Sequence, residues 1–182
     1  LDGDIKAAML IVGEKAAVKG EIICESVTVR GRVEGGIRAK QVALAATAQQ
    51  FVTDIELARA TTLQNGRAVR LGFEHTPAGS CYVLHSGAAR SCRCEVAHGD
   101  AVARCSGDET VMRTAWLPAD GPVRMTSGVD SMLFGAHRHT VSPAGSVTLR
   151  SRDGSTLRAV VGITGRVRVC AVGQRSAGRP RC

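Results

Sequence analysis

The hydrophobic period changes at Asn65-Gly66, and this change limits the fold more than any other feature of the chain. Ahead of it, Leu44, Ala48, Phe51, Ile55, Ala58 and Thr62 recur at alternating steps of four and three, which is one face of an α-helix. Asn65-Gly66 supplies the C-terminal stop. Behind it the period shortens to two. RAVRLGF (67–73), CYVLH (81–85), VMRTAWL (111–117), GPVRM (121–125), SMLFG (131–135), GSVTLR (145–150), LRAVVG (157–162) and GRVRVC (165–170) all read as β. Turn signals separate them, among them Pro118-Ala119-Asp120-Gly121, Ser142-Pro143-Ala144-Gly145 and Arg152-Asp153-Gly154. One helix, expected over about 45–64, followed by a β-rich head over 67–182, predicts an α+β domain with the N-terminal helix laid on antiparallel β-sheets.

The chain ahead of the helix has a period of its own. VKGEIICESVTV (18–29) aligns with VEGGIRAKQVAL (33–44) at a constant offset of 15. Val18 meets Val33, Gly20 meets Gly35, Ile22 meets Ile37, Val27 meets Val42 and Val29 meets Leu44, and Leu10 and Val12 form an earlier pair of the same kind. Short alternating strands punctuated by glycine at such a period suggest rungs of a parallel β-solenoid. Residues 37–44 serve both patterns: they complete the repeat, and they could equally begin the helix. The division is expected near 37–45, giving a repeat segment over 1–37 and a second domain over 38–182.

Two family resemblances follow from these residues. LDGDI, LIVGEKAAVKGEI and VTVRGRVEGGIRAKQVAL resemble the bactofilins, polymer-forming cytoskeletal proteins with a β-helical core. Only about 45 residues match, a few rungs with a small core, which should be marginal alone. AQQFVTDIELARATTLQNGRAVRL (48–71), GSCYVLHSGAARSCRC (79–94), SMLFGAHRHTVSPAGSVTLR (131–150) and GITGRVRVC (162–170) resemble the GspH/FimT minor pseudopilins of type II secretion and type IV pilus systems. That resemblance implies a helix followed by a head of two antiparallel sheets, an extracytoplasmic location with inner-membrane anchoring in typical members, and other pilins or pseudopilins as partners. Pseudopilins begin with a prepilin-peptidase site and an apolar half-helix. Here the bactofilin-like repeat stands in that place, and no run of 18 apolar residues exists, so a membrane anchor is read as absent from this chain. It begins at Leu1 rather than Met, which leaves its true N-terminus open.

Charge narrows the choice of partner. The net charge is +8. Residues 1–36 hold six acids and five bases, a net of −1, so the remainder carries +9. After Asp153 there is no acid, but there are six arginines: Arg158, Arg166, Arg168, Arg175, Arg179 and Arg181. Such a balance suits a polyanion. Aromatics are 3% of the chain, which argues against stacking modes of single-strand binding. In the FimT branch a GRxR motif near the C-terminus is associated with DNA binding in natural transformation. Here the resemblance puts it at Gly165, Arg166 and Arg168.

The physics agrees. Alternate residues on a strand point one way, about 6.6–7 Å apart. Neighbouring phosphates on an extended strand have a similar spacing, about 7 Å at one phosphate per nucleotide. Arginine grips phosphate bidentately, and Gly165 would leave the backbone open to approach. GRPR (178–181) offers a second copy, with Arg179 and Arg181 beside Arg175. The bland alternative is solubilising charge on an edge strand, where basic residues discourage sheet-to-sheet pairing.

Seven cysteines are many for a chain of 182 residues. Cys24 stands alone; Cys81, Cys92, Cys94, Cys105, Cys170 and Cys182 cluster in the last 102 residues and suggest disulfides in an oxidising compartment. A Cys170–Cys182 bridge would tie the tail back to the strand and hold both arginine pairs together. Cys81, Cys92, Cys94 and Cys105 allow three pairings, and Cys92-Arg93-Cys94 cannot comfortably pair within itself. A metal site with His98 or His85 is the rival, but CxC…H…C matches no standard zinc signature. His137-Arg138-His139 reads as a solvated loop, and Trp116 as a core residue.

No motif argues for an enzyme, and no cofactor, metal or small-molecule substrate is expected. The expected function is therefore a minor pilin or pseudopilin that binds DNA, mainly through phosphate, in DNA uptake. A purely structural pseudopilin priming filament assembly and a bactofilin-like cytoskeletal subunit are the alternatives.

Overall fold

The structure is a computed structural model and describes residues 1–34, 37–97, 100–136, 140–173 and 180–182. The chain opens with five short strands, β1 (Ile5–Val12), β2 (Ala17–Lys19), β3 (Ile22–Val29), β4 (Arg32–Glu34) and β5 (Ile37–Ala39). They pair in parallel, β1-β3-β5 in one sheet and β2-β4 in another, as stacked rungs. Val18 lies against Val33 and Ile22 against Ile37, at the offset the repeat gives. The first rung is two residues longer, with Ile5 against Ile22, Leu10 against Val27 and Val12 against Val29. Val12, Val18, Ile22 and Cys24 form a small core of their own. Gly20 marks the corner where rungs pass. It has φ +129°, and a Cβ there would lie 2.5 Å from the carbonyl oxygen of Gly3 in the rung before, so only glycine fits.

The repeat gives way to the helix between Ala39 and Lys40, within the stretch that serves both patterns. Helix α1 (Lys40–Asn65) begins directly after β5, so Val42 and Leu44 are helical and the pairs Val27–Val42 and Val29–Leu44 do not form. The reason is where Leu44 goes. With Ala48, Phe51, Ile55 and Ala58 it enters the main core, each at 2% exposure or less, and Thr62 extends the stripe. Burial of a side chain such as Phe51 or Ile55 is worth roughly 1.5–3 kcal/mol. A third full rung would leave that stripe without its first anchor. Gly66, at φ +61°, donates its N–H to the carbonyl of Thr62 at 3.1 Å and ends the helix with a left-handed cap.

Beyond the cap follow β6 (Val69–Thr76), β7 (Gly79–His85), β8 (Cys92–Ala97), β9 (Asp100–Cys105), β10 (Val111–Pro118), β11 (Val123–Ser127), β12 (Ser131–Phe134), β13 (Val141–Ser142), β14 (Gly145–Ser151), β15 (Thr156–Val161) and β16 (Val167–Val172). Two antiparallel sheets result, a first in the order β10-β7-β6-β12-β13 and a second in the order β11-β14-β15-β16. The helix packs with both around one core, which includes Val69, Leu71 and Leu84 of the first sheet and Met125, Leu149 and Leu157 of the second. This is the α+β architecture that the change of period predicts.

A polar clamp fixes the helix to the first sheet. Asp54 is 3% exposed; its Oδ2 accepts from the Tyr82 hydroxyl at 2.6 Å and its Oδ1 from Gln50 Nε2 at 2.9 Å. Arg113 Nε stands 3.5 Å from the same carboxylate. Burial first, then the bond to Asp54, pushes the Tyr82 phenol far above its ordinary range. Tyr82 also meets Phe51 edge-on at 5.5 Å.

Two expectations change. The strands β8 and β9 form a separate antiparallel hairpin between CYVLH and VMRTAWL, where the alternation marks no strand, because Cys92 pairs across it with Cys105 and fixes the register. Trp116 is half-buried rather than a core residue: Ala115 and Leu117 turn to the core, and the indole lies beside Gly79 on the other face of β10.

Candidate nucleic-acid interface

The second sheet ends in β16, and the hairpin before it sets up the GRxR stretch. Gly165 N–H donates to Gly162 O at 2.8 Å and Gly162 N–H to Arg166 O at 2.9 Å. With Gly165 at φ +71°, this is a three-residue hairpin loop with glycine in the left-handed position. Gly165 is buried, and a Cβ there would lie 2.8 Å from Cδ of Arg59 on the helix. The expectation that it leaves the backbone open to a ligand is therefore corrected. The side chain of Arg59 fills that space, and the glycine serves the turn.

Arg166 and Arg168 are both exposed. They alternate with Val167 and Val169, which pack against the core, so the two guanidinium groups leave the sheet on its outer side. Among the described residues neither makes an ion pair. The tail returns to the same strand. Ala171 N–H donates to Pro180 O at 2.9 Å and Cys182 N–H to Ala171 O at 3.1 Å, a parallel bridge that brings exposed Arg181 alongside β16. Cys170 and Cys182 are joined by a disulfide at the same place. Arg175 and Arg179 lie outside the described residues, as do His98 and the His137-Arg138-His139 stretch.

The remaining pairing is Cys81–Cys94 and Cys92–Cys105, one of the three that the sequence allows. The first bond staples the β8–β9 hairpin to β7. All four sulfurs are thus used, and Cys24 is the free thiol, buried in the small core with its pKa raised by that burial. His85, the rival metal ligand, is fully buried; its Nδ1 accepts from Gly87 N–H at 3.0 Å. Burial first and Arg70 second lower its pKa, with Glu109 opposing, which favours the neutral ring.

Four arginines that share a face with Arg168 or flank it are not read as site residues from the sequence, although Arg158 is counted in the acid-free stretch. Arg124, Arg150 and Arg158 occupy outward positions on β11, β14 and β15, and Arg152 sits in the turn after β14. The signal was available: each strand of the second sheet carries one arginine, flanked by residues that face the core.

Residues 47–176 match the family described as the type II transport protein GspH. Residues 1–68 match the polymer-forming cytoskeletal bactofilins. Similar solved structures include the type IV minor pilin FimU of Pseudomonas aeruginosa, 15% identical with a TM-score of 0.48, covering 78% of this chain and 95% of that one. The minor pseudopilin EpsH of the type 2 secretion system of Vibrio cholerae is 9% identical with a TM-score of 0.48, covering 72% of this chain and 98% of that one. No curated protein matches the chain.

Proposed function

This chain belongs to the GspH family of type II transport proteins, and on that premise we propose that its C-terminal strand and tail bind DNA through the phosphate backbone during DNA uptake. The family consists of minor pseudopilins, which act outside the cytoplasm beside other pilins or pseudopilins. Three disulfides suit such an oxidising compartment. The observation that carries the DNA reading is the pair Arg166 and Arg168, exposed and without an ion pair among the described residues, beside a tail whose Arg181 is held to the same strand. Unpaired arginines at strand spacing suit phosphates and carry no base information, so binding is sequence-independent and weakens steeply with salt.

A purely structural reading has its own support in the helix, where Leu57 and Leu63 are exposed at 41% and 55% and offer a surface to a neighbouring subunit. DNA binding by the full, oxidised chain across a salt series separates the two. The expected result is a linear fall of log affinity with log salt, with a slope reduced by about 2 in Arg166→Ala/Arg168→Ala, at about 0.9 per lost phosphate contact on duplex DNA. Absence of binding at low salt by a folded chain would leave the structural reading.

A further inference from the structure

We propose that the outer face of the second sheet is a second phosphate-binding track, on which Arg158, Arg150 and Arg124 carry the nucleic-acid backbone onward from Arg168. The proposal rests on the DNA-binding reading and extends it from the C-terminal strand across the whole sheet.

The first support is placement. Each strand of the sheet holds one arginine, and each points away from the core. Arg124 lies between buried Val123 and Met125, Arg150 between Leu149 and Ser151, Arg158 between Leu157 and Ala159. The four strands contain no aspartate or glutamate. Among the described residues none of the four arginines makes an ion pair. Edge protection explains basic residues on β11 and β16, the outer strands. It does not explain Arg150 and Arg158, because β14 and β15 are central and have no free edge.

The second support is cost. Arg124 stands directly opposite Arg150 in the β11–β14 register, with no acid between them on the strands. Like charges in such a pair repel and destabilise the sheet. The Nε of Arg158 is buried without a hydrogen-bond partner among the described residues, another unfavourable arrangement. A polyanion lying on this face relieves the first and offers acceptors to the remaining guanidinium nitrogens.

The third support is geometry. Arg150 pairs with Thr156 and Arg158 with Cys170, while Arg168 pairs with Val160. Each step from Arg150 to Arg158 to Arg168 therefore moves one strand across and two residues along, about 8 Å from ordinary strand spacing and rise. The diagonal from Arg124 to Arg168 spans about 20 Å on the same basis. The first step, from Arg124 directly across to Arg150, is shorter, about 5 Å. A row of forks at these spacings suits a chain of phosphates better than an irregular acidic protein surface.

At the far end of this line Arg124, Arg150 and Arg152 line a groove of about 620 Å³ together with Asp120 and Ser151. Arg124 Nε donates to Ala119 O at 3.1 Å and Arg152 Nε to Gly121 O at 3.0 Å. These bonds fix both guanidinium groups in advance, which lowers the ordering cost of binding. The acids nearby sit in turns. Asp153 already accepts from the amide and hydroxyl of neighbouring serines, and Asp120 stands in the groove wall.

The test uses the full, oxidised chain and labelled duplex and single-stranded DNA across a salt series. Arg150→Thr/Arg158→Thr suits the strand, and among the described residues neither guanidinium makes a hydrogen bond or ion pair that would be lost. The expected result is a tenfold or greater loss of affinity at low salt and a slope smaller by about 2, with the melting temperature unchanged or raised. A second variant, Arg150→Glu, faces Arg124 with an opposite charge; it should gain stability while losing still more affinity. Unchanged affinity and slope in both variants, with Arg166→Ala/Arg168→Ala defective, would overturn the track and leave the C-terminal reading. Loss in the sheet variants with Arg166→Ala/Arg168→Ala unaffected would overturn the C-terminal reading and keep the track. No DNA binding by the wild-type chain would overturn both.

Discussion

Gly165 shows how one residue can carry a motif for a reason the motif does not announce. Its φ of +71° lies in the left-handed region, and the methylene stem of Arg59 closes over it. Gly165→Ala should therefore cost about 1–2 kcal/mol, because the left-handed conformation penalises a Cβ. In a chain of this length that lowers Tm by roughly 2–8 °C. DNA affinity measured well below the melt should stay near wild type, since Arg166 and Arg168 keep their places. An unchanged Tm with lost affinity would instead give the glycine a direct part in binding. Asp54 shows the opposite case at the same scale. Nothing in its local sequence distinguishes it from a solvated helix residue, yet it receives bonds from Tyr82 and Gln50 in the core.

Among the elements, helix α1 was the easiest to read and the β8–β9 hairpin the hardest. The stripe from Leu44 to Thr62 is long enough for its period to stand out, and the glycine cap closes it. Among its described residues the hairpin buries Cys92 alone, with Val96 and Val102 exposed, so its alternation carries little hydrophobic signal. Covalent bonds take the place of a core: Cys92–Cys105 closes it and Cys81–Cys94 holds it to β7. Cys92→Ala/Cys105→Ala should release up to about 3 kcal/mol of loop-closure restraint. That loss should fall on the hairpin alone. Hydrogen exchange should quicken across β8 and β9 while β6, β7, β14 and β15 keep their protection. Equal acceleration in all six strands would mean that the bond supports the whole head.

For the molecule as a whole, two hydrophobic cores are distinct: the small one of the rungs, with Val12, Val18, Ile22 and Cys24, and the large one between helix and sheets. Four buried side chains hold much less than the large core does, so the rungs should open first. The chain carries its own probes, since Cys24 is the free thiol of the small core and Trp116 the single tryptophan, on β10. In a urea series, Cys24 should become reactive to a thiol reagent at concentrations where Trp116 fluorescence is still native. Coincident curves would make the two cores one cooperative unit.

The sequence by itself determined the architecture, because the helical stripe and the alternating strands are local periods that burial enforces one residue at a time. It determined the offset of the rungs at Val18–Val33 and Ile22–Ile37 in the same way. It also marked Arg166 and Arg168 as exposed neighbours on a strand, since alternation alone decides which face they take. Only the tertiary structure decided where the repeat yields to the helix, because Lys40 to Leu44 satisfy both patterns and the large core offers Leu44 the deeper burial. Only it decided which cysteines meet, and that Arg124, Arg150, Arg158 and Arg168 lie on one face of one sheet. Those residues are dispersed along the chain, and strand register, a property of several segments at once, is what brings their charges together.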